Sequence, residues 1–304
     1  MNIKVSFKLI FTGLLLLISA DIFGQLSPLG AQYFQNTYLV NPAMAGINRG
    51  LTLNLGYRNQ WNNIPGAPQS ASLTTDLRLD RVGLGLSYFQ DKAGLINQSK
   101  IMATYAYHLP IIEDYENLHF GLSFGIQQEQ LDTKAIVGSM NDLVAMGFNE
   151  NEIRLDADFG MAYSIGGLTA EGSINDLKQQ FTGKGLSFSN FNTFYSAFSY
   201  LFELNDWNLT PKIAYHGIKD FKNKLDIGVN LMTGDQQIGL TSFYHSNNSF
   251  TFGVSYQYRG QLQLMTLYDT PTSTLSGNAS GSFEIGVRFR ILNKEDRNLG
   301  RFSY

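Results

Sequence analysis

From Leu51 to Ile291 the side chains alternate between apolar and polar with a period of two, segment after segment. Between Phe250 and Tyr258, the residues Phe250, Phe252, Val254, Tyr256 and Tyr258 share one face, while Thr251, Gly253, Ser255 and Gln257 share the other. Between Ser282 and Ile291, Phe283, Ile285, Val287, Phe289 and Ile291 oppose Glu284, Gly286, Arg288 and Arg290. This alternation specifies strands with one greasy and one polar face. A soluble sandwich shows the same period, so the strand count, the connections and the composition must choose between sandwich and membrane barrel.

The pattern predicts strands near 50–58, 69–78, 82–90, 99–109, 118–128, 152–165, 167–176, 190–203, 207–216, 224–233, 236–245, 249–258, 261–269 and 281–291. These are fourteen, an even number of segments of the length that crosses an outer membrane as a tilted strand. The eighth and ninth are the hardest to place, because Pro211 falls inside the latter and has no N–H to give to a ladder. Connections after the even-numbered strands are mostly short, such as Leu79 to Arg81, Gly166 and Gly234-Asp235. Those after the odd-numbered strands are mostly long, such as Asn59 to Pro68, Glu129 to Asn151, Leu177 to Ser189 and Thr270 to Ser280. Outer-membrane barrels have this asymmetry, with the tight rim in the periplasm, which predicts that both termini are periplasmic. Tyr57, Tyr88, Tyr107, Tyr163, Tyr215, Tyr244, Tyr258 and Tyr268 lie on the apolar face near strand ends, as an aromatic girdle requires. The fold class is therefore all-β: a closed antiparallel transmembrane barrel, since fourteen strands left open would expose unpaired backbone edges.

Composition agrees with an exported membrane protein. Only 15% of the residues are charged, against 43% hydrophobic, with 30 Gly, 22 Phe and 16 Tyr. The net charge of -3 excludes a basic field for nucleic acid. Zero Cys excludes disulfides, thiolate metal sites and a lipid-modified N-terminal cysteine. Lys4 and Lys8 precede the apolar run Leu9 to Ile18, which is too short to span a membrane as a helix. Residues 1–24 thus read as a signal peptide cleaved after Gly24, with Ala20 as the other candidate site. The remaining chain divides into an N-terminal periplasmic or plug segment at 25–49, the barrel at 50–292 and a periplasmic tail at 293–304.

The inward face is mixed, with Gly83, Gly85, Ser123, Arg154, Asp156, Asp158, Glu171, Asp226, Glu284, Arg288 and Arg290 pointing to the lumen. Opposite charges there can lock a plugged interior, and the inward glycines suggest close approach of another element, such as the N-terminal segment. His108, His119, His216 and His245 are scattered over separate strands or turns with no metal-ligand spacing, which favours structural roles. Asp156 and Asp158 share a strand face without a third ligand, so ion pairing with Arg154 is expected in preference to a cation site. No G-x-S-x-G elbow supports a hydrolase, and Gly83-x-Gly85 lies within a strand rather than before a helix. No catalysis, cofactor or metal is expected.

The stretch from Gln32 to Gly46 reads QYFQNTYLVNPAMAG, followed by YRNQW at Tyr57 to Trp61 and GAPQS from Gly66. With Val82 to Leu86 (VGLGL), Asp91 to Gly94 (DKAG) and Tyr105 to Pro110 (YAYHLP), it resembles the PorP/SprF family of the Bacteroidota type IX secretion and gliding machinery. The family often has Arg where this chain has His108. The resemblance is strongest in residues 32–130 and runs over nearly the whole mature chain. It implies a barrel related in architecture to fourteen-stranded fatty-acid channels, which also carry an Asn-Pro-Ala element. It further implies a part in anchoring or escorting a type IX cargo protein or adhesin, in contact with outer-membrane lipid and with periplasmic secretion or motor ring components. Asn41, Pro42, Ala43 and Gly46 are then candidate plug or partner contacts, or simply the turn that delivers the chain to the first strand. Tyr57, Arg58, Gln60 and Trp61 are candidate outer-rim contacts, to cargo or as an anchor of the first loop. The alternative function is a channel for small or hydrophobic solutes, and the other alternative fold is an exported soluble β-protein.

Overall fold

A computed structural model describes residues 30–61, 66–113, 115–131, 151–178, 192–218, 223–271 and 280–291. The stretches expected as a signal peptide at 1–24 and as a tail at 293–304, and most of the longer loops, lie outside the described residues.

The chain forms β1 Leu51–Asn59, β2 Gln69–Leu79, β3 Val82–Ala93, β4 Ile96–Ile112, β5 Glu116–Leu131, β6 Asn151–Ile165 and β7 Leu168–Ile174. It continues with β8, Asn192–Tyr200 resumed after Leu201 as Phe202–Glu203, then β9 Trp207–Ile218, β10 Lys224–Thr233 and β11 Ile238–His245. The last three are β12 Ser249–Tyr258, β13 Leu262–Asp269 and β14 Ser282–Ile291. Every strand pairs antiparallel with its sequence neighbours, and β14 pairs with β1 from Leu51↔Ile291 to Asn59↔Phe283, closing the barrel. Closure leaves no open edge.

The strand ladder interrupts where the sequence is least strand-like. On the β8 side, β9 pairs at Leu209↔Phe202 and again from Lys212↔Ser199. Pro211, which has no N–H to donate, sits in the interval. One expectation on the rims changes: β3 and β4 are joined by Gly94-Leu95 alone, Gly94 having φ 59. Polar residues at Asp91, Asn97 and Gln98 hid the continuation of the ladder, which runs on through Asp91↔Gln98 to Ala93↔Ile96.

Leu55, Leu86, Phe124, Leu155, Phe198, Phe252 and Ile285 are 44–69% exposed on the outer surface. An apolar belt of this extent is untenable in water and belongs in lipid. Tyr57, Tyr215, Tyr244 and Tyr268 edge it toward the long-loop rim, and Tyr107, Tyr163 and Tyr258 toward the short-turn rim. No helix among the described residues is long and apolar enough to cross a membrane, so the strands do the crossing.

A ring of fourteen strands is wider than its own side chains can fill. Residues 30–50 lie in that space as three short 3-10 turns, Gln32–Phe34, Thr37–Leu39 and Pro42–Met44. Gly30 stands against Glu284, two residues from the long-loop end of β14, and Gly50 meets Arg78 at the short-turn rim. The segment therefore runs the length of the lumen. The C-terminal end of β14 leaves at the short-turn rim, whereas Gly30 lies toward the opposite end.

Candidate functional site

The lumen is the candidate site, because the N-terminal segment and the wall are fastened together there from end to end. Inward glycines make the room. A Cβ at Gly121 or Gly160 would strike the Asn41-Pro42-Ala43 backbone or side chains, one at Gly83 the Ala45 carbonyl, and one at Gly85 the Tyr38 ring.

Asn41 is fully buried and caps the Pro42–Met44 turn. Its Oδ1 accepts the Ala43 N–H at 3.0 Å and its Nδ2 donates to the Met161 carbonyl at 3.2 Å. Pro42 suits the first position of that turn because its fixed φ is helical and its missing N–H would be unpaired there anyway. Gly46 has φ 68, donates its N–H to Asp76 at 3.0 Å, and offers its carbonyl to Arg78 at 3.0 Å. Wall side chains satisfy the other backbone carbonyls that the turns leave over: Ser173 donates to Val40 at 2.6 Å, and Arg288 to Gln35. A polar lumen is what lets an irregular segment be buried at all.

Toward the long-loop rim a ring of polar contacts begins and ends on the segment. Tyr33 donates its hydroxyl to Asp226 at 2.5 Å, and Asp226 also receives His245 Nδ1 at 2.6 Å and Lys224 at 3.2 Å. His245 Nε2 meets Thr251 at 2.6 Å, and Thr251 donates to Asp269. Arg58 bridges Asp269 at 2.7 Å and Glu284 at 3.0 Å. Glu284 then accepts the Ala31 N–H at 3.1 Å. Burial, and next the negative charge of Asp226, push the Tyr33 hydroxyl well above the ordinary tyrosine range. It stays a donor throughout the physiological range.

At the other end His108 and His119 hold the exit of the segment. The Ala45 carbonyl can only accept, so His108 Nε2 carries the proton shared with it at 3.0 Å. His108 Nδ1 then accepts from His119 Nδ1 at 2.8 Å, and Ser164 donates to His119 Nε2 at 3.0 Å. The four histidines, expected as scattered residues, thus form two groups: this pair, and His216 with His245 around Asp226. All four are buried inward, His108 opposite His119 on adjoining strands and His216 and His245 on β9 and β11 either side of Asp226 on β10, an arrangement their sequence spacing hides.

Other expectations on chemistry change in the same way. The ion-pair partner of Asp158 is Lys100, at 2.9 Å, rather than Arg154. Lys100 also binds Asp176 at 2.8 Å, so a third carboxylate does join Asp156 and Asp158, but an ammonium already occupies the centre. Thr251, His245 and Asp226 have the connectivity of a hydrolase triad. Thr251 is 0% exposed, however, and its hydroxyl is given to Asp269. A nucleophile needs a free approach, so the array is a wall-to-plug strut.

The four outer-rim candidates do not form one patch. Tyr57 is 46% exposed on the lipid face, while Arg58 belongs to the lumenal ring and Gln60 is 2% exposed, its N–H donated to the Pro68 carbonyl. Trp61 is half-buried with φ 48. Of the four, only Arg58 takes part in holding the plug, together with Tyr33, Tyr38, Asp226 and Glu284, none of them among the candidates. Alternation alone marks Asp226 and Glu284 as inward, whereas the only signal for Tyr33 and Tyr38 is the density of aromatic and amide residues before β1, without strand period.

The fold is that of solved outer-membrane channels. It is similar to the monoaromatic hydrocarbon channel CymD, with TM-score 0.53 and 11% identity over 89% of this chain and 95% of that one. It is also similar to the P. putida toluene transporter TodX, with TM-score 0.52 and 9% identity over 85% and 94%. For the Ralstonia pickettii toluene transporter TbuX the values are 0.51 and 9%, over 90% and 97%. At such identities the likeness shows architecture alone. No curated protein matches the sequence. The model of one family, the type IX secretion system membrane protein PorP/SprF, matches residues 22–289. This fourteen-stranded, internally plugged barrel therefore belongs to the PorP/SprF family of type IX secretion system membrane proteins.

Proposed function

We propose that this chain is an outer-membrane component of the type IX secretion and gliding machinery that anchors or escorts a surface-displayed or secreted cargo protein. The short-turn rim faces the periplasm, toward the secretion or motor ring components, and the long loops face the cell surface and the cargo. The observation that carries this reading is the occupied lumen. A barrel whose interior is occupied by its own chain, bonded to the wall from Ala31 to Gly46, is built to hold its shape and present its rims. A conduit would need those bonds to break at each passage. The solute-channel alternative draws on the architecture shared with hydrocarbon channels, but the lumen here is lined by charges and amides instead of a continuous apolar path.

The test is the quantitative surface and secreted proteome of a clean deletion strain against its parent. Loss of one or a few proteins bearing type IX targeting domains supports a dedicated escort, and loss of all of them supports a part in the general secretion core. An unchanged set would overturn the reading and bring the solute channel forward.

A further inference from the structure

The N-terminal segment does not fill the short-turn end of the lumen. A cavity of about 180 Å³ remains there, more than ten times the ~15 Å³ that one water needs. The segment contributes Phe34, Met44 and Ile47 to one side, and the Gly166-Gly167 turn lies at its edge. The opposite side is mainly hydrogen-bonding: Asn208, Asn230, Gln263, Thr169 and Thr210 surround the apolar Leu201 and Met232. Three cations, Lys212, Arg288 and Arg290, line it against one carboxylate, Glu171. Asp76 lies beside both arginines and also accepts the Gly46 N–H. Counting it, the charge surplus is still positive.

Glu171 gives one oxygen to Lys212 at 2.9 Å, while its other oxygen, buried, has no hydrogen-bond partner among the described residues. A hydrocarbon would leave these amides, hydroxyls and charges unsatisfied. A peptide supplies backbone N–H and C=O groups to the amides, acidic side chains to the cations, and one or two apolar side chains to the Phe34, Met44 and Ile47 side.

We propose that this cavity is a docking socket for a short acidic segment of a partner protein, entering from the short-turn rim. The inference rests on the reading above in one respect, that this rim faces the periplasm. The test places the photo-crosslinking residue p-benzoylphenylalanine at Asn208, and separately at Thr210, in the full chain in living cells. Expected are adducts at both positions that map by mass spectrometry to one acidic stretch of one protein. They are lost in Arg288→Glu/Arg290→Glu and in the cavity-filling Met232→Trp, both checked for heat-modifiable barrel migration. Should the double variant fail to fold, Met232→Trp decides alone. No adduct, an adduct to lipid or a small amphiphile, a basic or scattered set of peptides, or adducts that survive cavity filling would each overturn the socket. In parallel, Asp235→Cys in this cysteine-free chain is treated with a membrane-impermeant maleimide. Labelling in intact cells would overturn the orientation, whereas protection with no adduct would sink the socket and leave the orientation standing.

Discussion

Replacing Arg58 with Met removes the cation shared by two buried carboxylates while keeping most of the side-chain volume. The Asp269 and Glu284 side chains are 10% and 0% exposed, so water cannot take over the role of the guanidinium. Removing one partner from a buried ion pair costs about 3–5 kcal/mol, because the other partner keeps its desolvation penalty. Glu284 is also the group that holds the Ala31 N–H, so the cost falls on the upper attachment of the N-terminal segment. The β1 ladder itself keeps all its backbone partners on β2 and β14. Arg58→Met is therefore expected to leave a folded barrel in which residues 31–40 open more often, by roughly 150-fold to 4,000-fold. Hydrogen exchange of that stretch in detergent or nanodiscs reads the opening directly, with heat-modifiable migration as the control for barrel closure. Protection unchanged within about threefold, in a closed barrel, would refute the claim that the lumenal ring secures the plug.

Asn41→Ala deletes a cap and leaves the Met161 carbonyl without its donor; a loss of about 1–2 kcal/mol is expected in denaturant titration of the plug's exchange protection. Gly121→Val drives a branched side chain into the Pro42-Ala43 backbone and is expected to displace the segment and raise conductance in planar bilayers, whereas the same change at Gly172, where an added Cβ meets nothing nearer than 4.0 Å, should leave conductance unaltered. Lys100→Met strands Asp158 and Asp176 and should destabilise by about 3–5 kcal/mol, while Lys100→Met combined with Asp158→Asn and Asp176→Asn should recover most of that loss in thermal unfolding. Tyr33 has its acidity weakened by folding, so its contribution is complete below the ordinary tyrosine pKa of ~10 and declines as pH climbs toward the raised folded value. Exchange protection of residues 31–40 should thus hold from pH 7 to 9 and fall only at more alkaline pH, and Tyr33→Phe should abolish that dependence.

The strands were legible because lipid enforces parity. A residue such as Phe252 or Ile285 has no alternative to facing out, so the period of two survives and its limits fall within a few residues of the observed ones. Legibility failed where parity says nothing. Tyr33 meets Asp226 across 193 positions and Arg58 meets Asp269 across 211, and only the closed ring and its register bring such pairs level. Arg58 and Tyr57 are adjacent in a motif and thus looked like parts of one rim site, yet alternation sends one to the lumen and the other to lipid. The inward glycines did signal close approach, since a strand keeps such residues only where another backbone needs the space. The course of that backbone depends on Asn41, Gly46 and Ala45 finding Met161, Asp76 and His108, partners that no local pattern announces.

The most direct measurement is single-channel conductance in planar bilayers, comparing the full chain with one lacking residues 30–50 and confirming that both are closed barrels. A sealed holder predicts no resolvable steady current from the full chain and a large one once the segment is gone. Equal steady currents from both would mean that the segment does not seal the lumen, and the account of this barrel as a scaffold would fall with it.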